Sequence, residues 1–195
     1  MTWLERKESL ALPLIKILPR WLTAMQLTGL RIILVIPLIW LLLNQQTLPA
    51  AIIFIVAAVL DYLDGPLARY RNQVTTAGKL LDPLADKLIA LPIVIILGAQ
   101  FIPTWLIMLI VGLEILLVLM SSLLKMIFRS LGLDRPLGAN IFGKIKFSLQ
   151  VIACLLMFLL LPSYSINQFI IFWLWIIAVI FALASIIKHI APSRD

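Results

Sequence analysis

Charge is what this sequence has least of. Only 13% of its 195 residues are charged, against 63% apolar, whereas a soluble domain carries about 25% charged residues. The mean hydropathy is +1.13. So little polar surface cannot solvate a globule of this size, and it excludes both a disordered chain and a nucleic-acid-binding domain. Cysteine is almost absent. The single Cys154 allows no internal disulfide, which excludes a disulfide-stapled secreted module, and its apolar surroundings read as a buried thiol. The single histidine, His189, reads as an interfacial residue at the end of the last apolar stretch. Acidic residues are also scarce, nine against sixteen Lys and Arg.

What is present in quantity is apolar sequence. Six stretches stand out, at about 27–43, 48–60, 88–98, 104–124, 147–161 and 169–187. A membrane span needs roughly 20 residues. The second and third stretches are too short to cross alone. Each becomes long enough only when extended through its acidic end, Asp61 and Asp64 on one and Asp82 and Asp86 on the other. Lipid does not accept these carboxylates, so they must face a polar chamber inside a helical bundle. The expected fold is an all-α polytopic membrane protein with six transmembrane helices over residues 27–190. Residues 1–26 precede it as an amphipathic segment lying in the membrane interface, where Trp3 and Trp21 alternate with Lys and Arg, and Pro13 and Pro19 break any long helix. No small-residue cleavage site follows a compact apolar core there, so this leader does not read as a signal peptide. The stretch from Phe169 to Trp175 reads as an aromatic belt near the outer interface.

The basic residues are distributed asymmetrically. The connections around 44–47, 100–103 and 162–168 carry no charge, whereas Lys and Arg collect in the leader, in the 2–3 and 4–5 connections and at the C-terminus. By the positive-inside rule both termini and the acidic chamber face the cytoplasm of an inner membrane.

Residues 61–86 hold four of the nine acids, as Asp61-x-x-Asp64-Gly65-x-x-Ala68-Arg69, eight residues, then Gly78-x-x-x-Asp82-x-x-x-Asp86. On helices, 61, 64 and 68 share one face, and 78, 82 and 86 another. Four clustered carboxylates repel one another unless cations intervene. All-oxygen donors suit two Mg²⁺ or Mn²⁺ ions, which can clamp a phosphoryl or pyrophosphoryl group. Gly65, Ala68 and Gly78 leave room for a bulky ligand to reach the backbone, and the planar fork of Arg69 pairs with phosphate. Taken alone, Asp82-Pro83 also reads as a helix N-cap followed by proline at the first helical position.

These residues match the signature of the CDP-alcohol phosphatidyltransferase family at all eight specified positions. The resemblance implies a six-helix fold, a homodimer, and transfer of a phosphatidyl group from CDP-diacylglycerol to an alcohol with release of CMP. It implies that Asp61, Asp64, Asp82 and Asp86 hold the metals, that Asp86 is also the general base, and that Gly65, Arg69 and Thr75 sit where the family contacts the CDP part. A longer likeness points to the phosphatidylglycerophosphate synthase branch, whose acceptor is glycerol 3-phosphate. Leu27-Thr28-x-x-Arg31 with Pro37 resembles its first helix, Leu81-Asp82-Pro83-Leu84-Ala85-Asp86-Lys87 its second half-motif, and Gly143-Lys144-Ile145-Lys146 its acceptor-side basic patch.

Ala24-Met25 replaces that branch's usual Pro-Asn, and Leu113 and Ser121 stand where it has arginines. An inositol or other polyol phosphate, or phosphatidylglycerol as in cardiolipin synthesis, therefore remains an alternative acceptor. Glu114, isolated in the fourth stretch, is expected to meet Arg31 or Lys146, so that Arg31, Glu114, Lys144 and Lys146 form the acceptor side. A transporter or proton relay is the reading from a different class. It predicts carboxylates strung along a path rather than gathered at the ends of two helices.

Overall fold

The computed structural model describes residues 12–15, 17–19, 21–73, 75–130, 141–160 and 165–190. Every regular element among them is helical: α1 (Ala24–Leu43), α2 (Thr47–Tyr70), α3 (Thr76–Pro92), a π-helical turn (Ile93–Leu97), a 3-10 turn (Gly98–Gln100), α4 (Thr104–Ser130), α5 (Ile141–Leu159) and α6 (Ser165–Ile190). In α1, α2, α5 and residues Ser165–Ile187 of α6, length and apolarity suffice to cross a membrane; a fifth, shorter apolar segment is Thr104–Met120. The chain divides into two compact units, Met1–Ile89 and Ala90–Asp195.

In the first unit, local sequence explains where the helices begin and end. Thr23 and Gln26 form a capping box, with Gln26 N–H donating to Thr23 Oγ1 at 3.2 Å and Thr23 N–H to Gln26 Oε1 at 2.7 Å. This reciprocal cap starts α1 at Ala24, inside the segment expected to precede the first span. Gln45 and Asn72 adopt positive φ, 56° and 53°, and each closes its helix in a Schellman motif. Gln45 N–H donates to Leu42 O and Gln46 N–H to Leu41 O; Asn72 N–H donates to Arg69 O and Gln73 N–H to Ala68 O. α2 runs unbroken through Asp61 and Asp64, as the length argument requires. α3 likewise begins six residues before Asp82, so Asp82 lies within a helix and is not an N-cap.

The buried stripe of α1 contains Leu27, Thr28, Arg31, Val35, Leu38 and Leu42 at helical spacing, and α1 packs on α2. Ala50, Phe54 and Ala57 are the buried residues of the apolar half of α2, the two alanines allowing close approach. At the other end of α2, Leu63 and Leu67 join Leu27 and Ile15 in a core cluster that Leu18 and Leu22 border. The Arg71 guanidinium donates to the carbonyls of Leu22 and Leu18, the latter at 3.0 Å. The described part of the leader is thus tied to the acidic end of α2. Ile17 and Trp21, 80% and 71% exposed, face away from it. Residues 1–11 lie outside the described part.

In the second unit, Pro92 lacks the N–H that would continue the α-helical ladder, and the chain proceeds through the π turn. α5 and α6 pack along their length, with Ala153, Cys154 and Met157 buried on one and Ile171, Trp175, Ala178 and Ala182 on the other. Cys154 is buried as expected. The aromatic stretch divides: Phe169 and Trp173 are exposed and contact edge-to-face at 6.1 Å, whereas Trp175 is 1% exposed. Trp175 belongs to the core rather than to a belt, because the helical period turns that position toward α5. The side chain of His189 lies outside the described ones.

Leu67 is fully buried in the cluster that anchors the leader. Leu67→Ala should cost about 2–5 kcal/mol, read as a lower unfolding temperature in detergent, while Leu48→Ala at a 73% exposed position should leave it unchanged.

Candidate active site

Three of the four motif aspartates meet on a single guanidinium within the first unit. Arg31, fully buried on the α1 stripe, donates through Nη1 to Asp61 Oδ1 at 2.6 Å and to Asp86 Oδ1 at 2.7 Å. Through Nη2 it donates to Asp64 Oδ2 at 2.6 Å. Asp61 and Asp64 are three residues apart on α2, so one helical face presents both. Asp86 arrives from α3. The aspartate side chains are 30%, 9% and 26% exposed, against 1% for Arg31. The acids therefore keep an open side, and the guanidinium closes the inner one.

The space beside Gly65 is taken by an arginine. A Cβ placed on Gly65 would stand 3.9 Å from Arg69 Nη2, so the Arg69 guanidinium lies one turn along, beside Gly65. Arg69 is exposed, as is Thr75 in the connection to α3, and Ala68 is half-buried. Positions 78, 82 and 86 follow at four-residue intervals on α3, in register with one another. The side-chain surroundings of Gly78 and Asp82 lie outside the described ones.

A second polar group lies in the second unit. Lys146 Nζ of α5 donates to Glu114 Oε1 and Oε2 of α4 at 2.7 and 3.0 Å, and Gln150 Nε2 donates to Glu114 Oε1 at 2.5 Å. All three residues are buried. Of the two partners expected for Glu114, the structure supplies Lys146, while Arg31 is engaged by the aspartates. Sequence reasoning missed Gln150, although a Gln four residues after Lys146 in an apolar helix is itself a signal of a polar partner. Lys144 is exposed at the start of α5.

No three His, Cys, Asp or Glu residues among the described ones stand at metal-ligand spacing. Asp61, Asp64 and Asp86 are instead gathered about Arg31. Their chemistry still fits a hard divalent cation: all donors are carboxylate oxygens, and three of them already converge within hydrogen-bond reach of one positive charge. A guanidinium balances only one of the three charges.

The described residues thus combine helices apolar and long enough to cross a membrane with three carboxylates gathered on one buried arginine and a second arginine beside Gly65, the features of a membrane protein with a charged site at its helix ends. The CDP-alcohol phosphatidyltransferase family model matches residues 21–184. Among curated relatives is the CDP-diacylglycerol–glycerol-3-phosphate 3-phosphatidyltransferase of Bacillus subtilis (strain 168), 35% identical over 130 residues. That match spans 63% of this chain and 64% of the relative. Proteins of the same name from Escherichia coli (strain K12) and Shigella flexneri serotype 5b (strain 8401) are each 30% identical over 171 residues, 86% of this chain and 92% of theirs. The chain belongs to the CDP-alcohol phosphatidyltransferase family. That family uses divalent metal ions.

The Glu114 cluster yields a stability prediction. Lys146→Met leaves a buried carboxylate without its cation and should destabilise by about 3–5 kcal/mol. Adding Glu114→Gln should recover most of that loss in detergent thermal unfolding. Additive losses in the double variant would show that the two side chains do not stabilise each other.

Proposed function

We propose that this chain transfers the phosphatidyl group of CDP-diacylglycerol to glycerol 3-phosphate and releases CMP. The observation that carries the reading is the convergence of Asp61, Asp64 and Asp86 from two helices onto one point. A transporter's carboxylates would instead be spread along a conduction path.

Mg²⁺ or Mn²⁺, two ions held by Asp61, Asp64, Asp82 and Asp86, would neutralise the pyrophosphate oxygens and leave the lipid-side phosphorus open to attack. The acceptor hydroxyl is a weak acid and needs a carboxylate within hydrogen-bond reach. Asp86 fills that role: its α3 position brings it beside Asp61, and its side chain is 26% exposed. As the acceptor oxygen bonds to phosphorus, its proton passes to Asp86. The phosphorus–oxygen bond to CMP breaks, and the electron pair leaves with CMP. Arg69 holds a donor phosphate, while Gly65, Ala68 and Gly78 leave room for the nucleotide beside Thr75. The likeness of Gly143-Lys144-Ile145-Lys146 to the family's acceptor-side basic patch supports these two lysines as cations for the acceptor phosphate. The names of the relatives support glycerol 3-phosphate as acceptor. The family resemblance supports a homodimer, six spans and a cytoplasm-facing active site, and the asymmetry of Lys and Arg between the connections supports termini on the cytoplasmic face of an inner membrane.

The test is CMP release from CDP-diacylglycerol with added Mg²⁺ or Mn²⁺. Asp86→Asn should slow it by about 10²–10⁴-fold, and indistinguishable rates would remove Asp86 as the base. Offering glycerol 3-phosphate, inositol phosphate and phosphatidylglycerol side by side, with products identified by mass spectrometry, decides the acceptor. For orientation, a cysteine placed at Gln45 in a Cys154→Ala background should react with an impermeant maleimide from outside the cell. One placed at Asn72 should react only after permeabilisation.

A further inference from the structure

We propose that Arg31 is a resident counter-ion of the acidic cluster, one that competes with the divalent cations for the same carboxylate oxygens. This rests on the reading of Asp61, Asp64 and Asp86 as metal ligands. Arg31 is fully buried, comes from a third helix, and directs both terminal nitrogens to carboxylates at 2.6 to 2.7 Å. Three acids crowded at this distance repel one another strongly where water is scarce. With no metal bound, the guanidinium keeps them together, and with them the ends of α2 and α3.

The arrangement suits an arginine and no other cation-bearing side chain. A planar fork with five donors can serve three carboxylates at once and stays charged, whereas a lysine ammonium offers a single point charge. The oxygens that Arg31 holds are also oxygens a metal would need. Hard divalent ions bind carboxylate oxygen at about 2.0–2.6 Å. A cation seated on those atoms would share an oxygen with the guanidinium and so stand within about 5 Å of it. Like charges at that separation are costly in a partly desolvated site. Metal binding therefore works against the Arg31 charge and is eased where Arg31 gives up bonds to those oxygens. Arg31 is thus a positioning residue that sets how tightly metal is held and lets the protein remain assembled without it.

The experiment strips the purified protein with chelator and titrates it with Mn²⁺, following free Mn²⁺ by electron paramagnetic resonance and the unfolding temperature in parallel. Arg31→Gln should bind Mn²⁺ at least about tenfold more tightly than the wild type. It should also show a larger Mn²⁺-induced rise in unfolding temperature, starting from a lower value in chelator. Arg31→Lys, which keeps the charge but loses the fork, should fall between the two and carries the test if Arg31→Gln does not survive purification. An unchanged Mn²⁺ midpoint would overturn the proposal. Weaker binding in the variants would also overturn it, since Arg31 would then be organising the ligands for metal. Absence of saturable Mn²⁺ binding in the wild type would overturn the metal reading itself and this inference with it.

Discussion

A charge placed inside an apolar helical protein must meet its opposite, and the candidate site is built around that requirement. Arg31 lies in the middle of a hydrophobic helix, where an unpaired guanidinium is expensive. Asp61, Asp64 and Asp86 lie where two apolar helices run out, and their mutual repulsion is equally expensive. Bringing the four together relieves both problems with three short hydrogen bonds. Such a cluster is not a source of stability compared with a hydrocarbon core of similar volume. It is costly to leave half-made, which is why it constrains how α1, α2 and α3 meet.

Much of the local structure in the first unit serves to bring these side chains to one place. The capping box at Thr23 sets where α1 starts and hence which face Arg31 occupies. The Schellman closures at Gln45 and Asn72 end α1 and α2 in compact turns without proline or a flexible linker. Ile15, packed under Leu63 and Leu67, and Arg71, bonded to the leader's carbonyls, hold the acidic end of α2 against the chain that precedes it. The leader is thus part of the support for the site as well as a segment with an exposed apolar face.

The second unit repeats the same physics on a smaller scale. Glu114, Lys146 and Gln150 satisfy one another in surroundings of Leu, Ile and Ala. The packing of α5 on α6 depends on small residues, Ala153, Ala178 and Ala182. In an apolar environment close van der Waals approach, rather than water exclusion, has to hold helices together.

Composition alone established a membrane protein, and its long unbroken apolar runs, rather than the short alternating segments of a barrel, made it helical. Spacing established more. The shortfall in the second and third apolar stretches required helices that continue through Asp61, Asp64, Asp82 and Asp86, and α2 and α3 do so. The eight-residue signature identified the family. Helix starts and stops are legible in part: Thr-x-x-Gln before α1 is a capping-box pattern, while the Asp82-Pro83 cap, plausible locally, gives way to a helix already under way at Thr76. Partnerships were not legible. Both Lys146 and Arg31 were open to Glu114, and Trp175 looked like its exposed neighbours. Residues thirty to fifty-five positions apart, such as Arg31 with Asp61 and Asp86, come together only when helix rotation and packing are set. The sequence by itself determined which helices carry the charged groups and at what helical phase; only the tertiary structure decided which of them are buried and which neutralise one another, because pairing depends on long-range distances that helical periodicity does not encode.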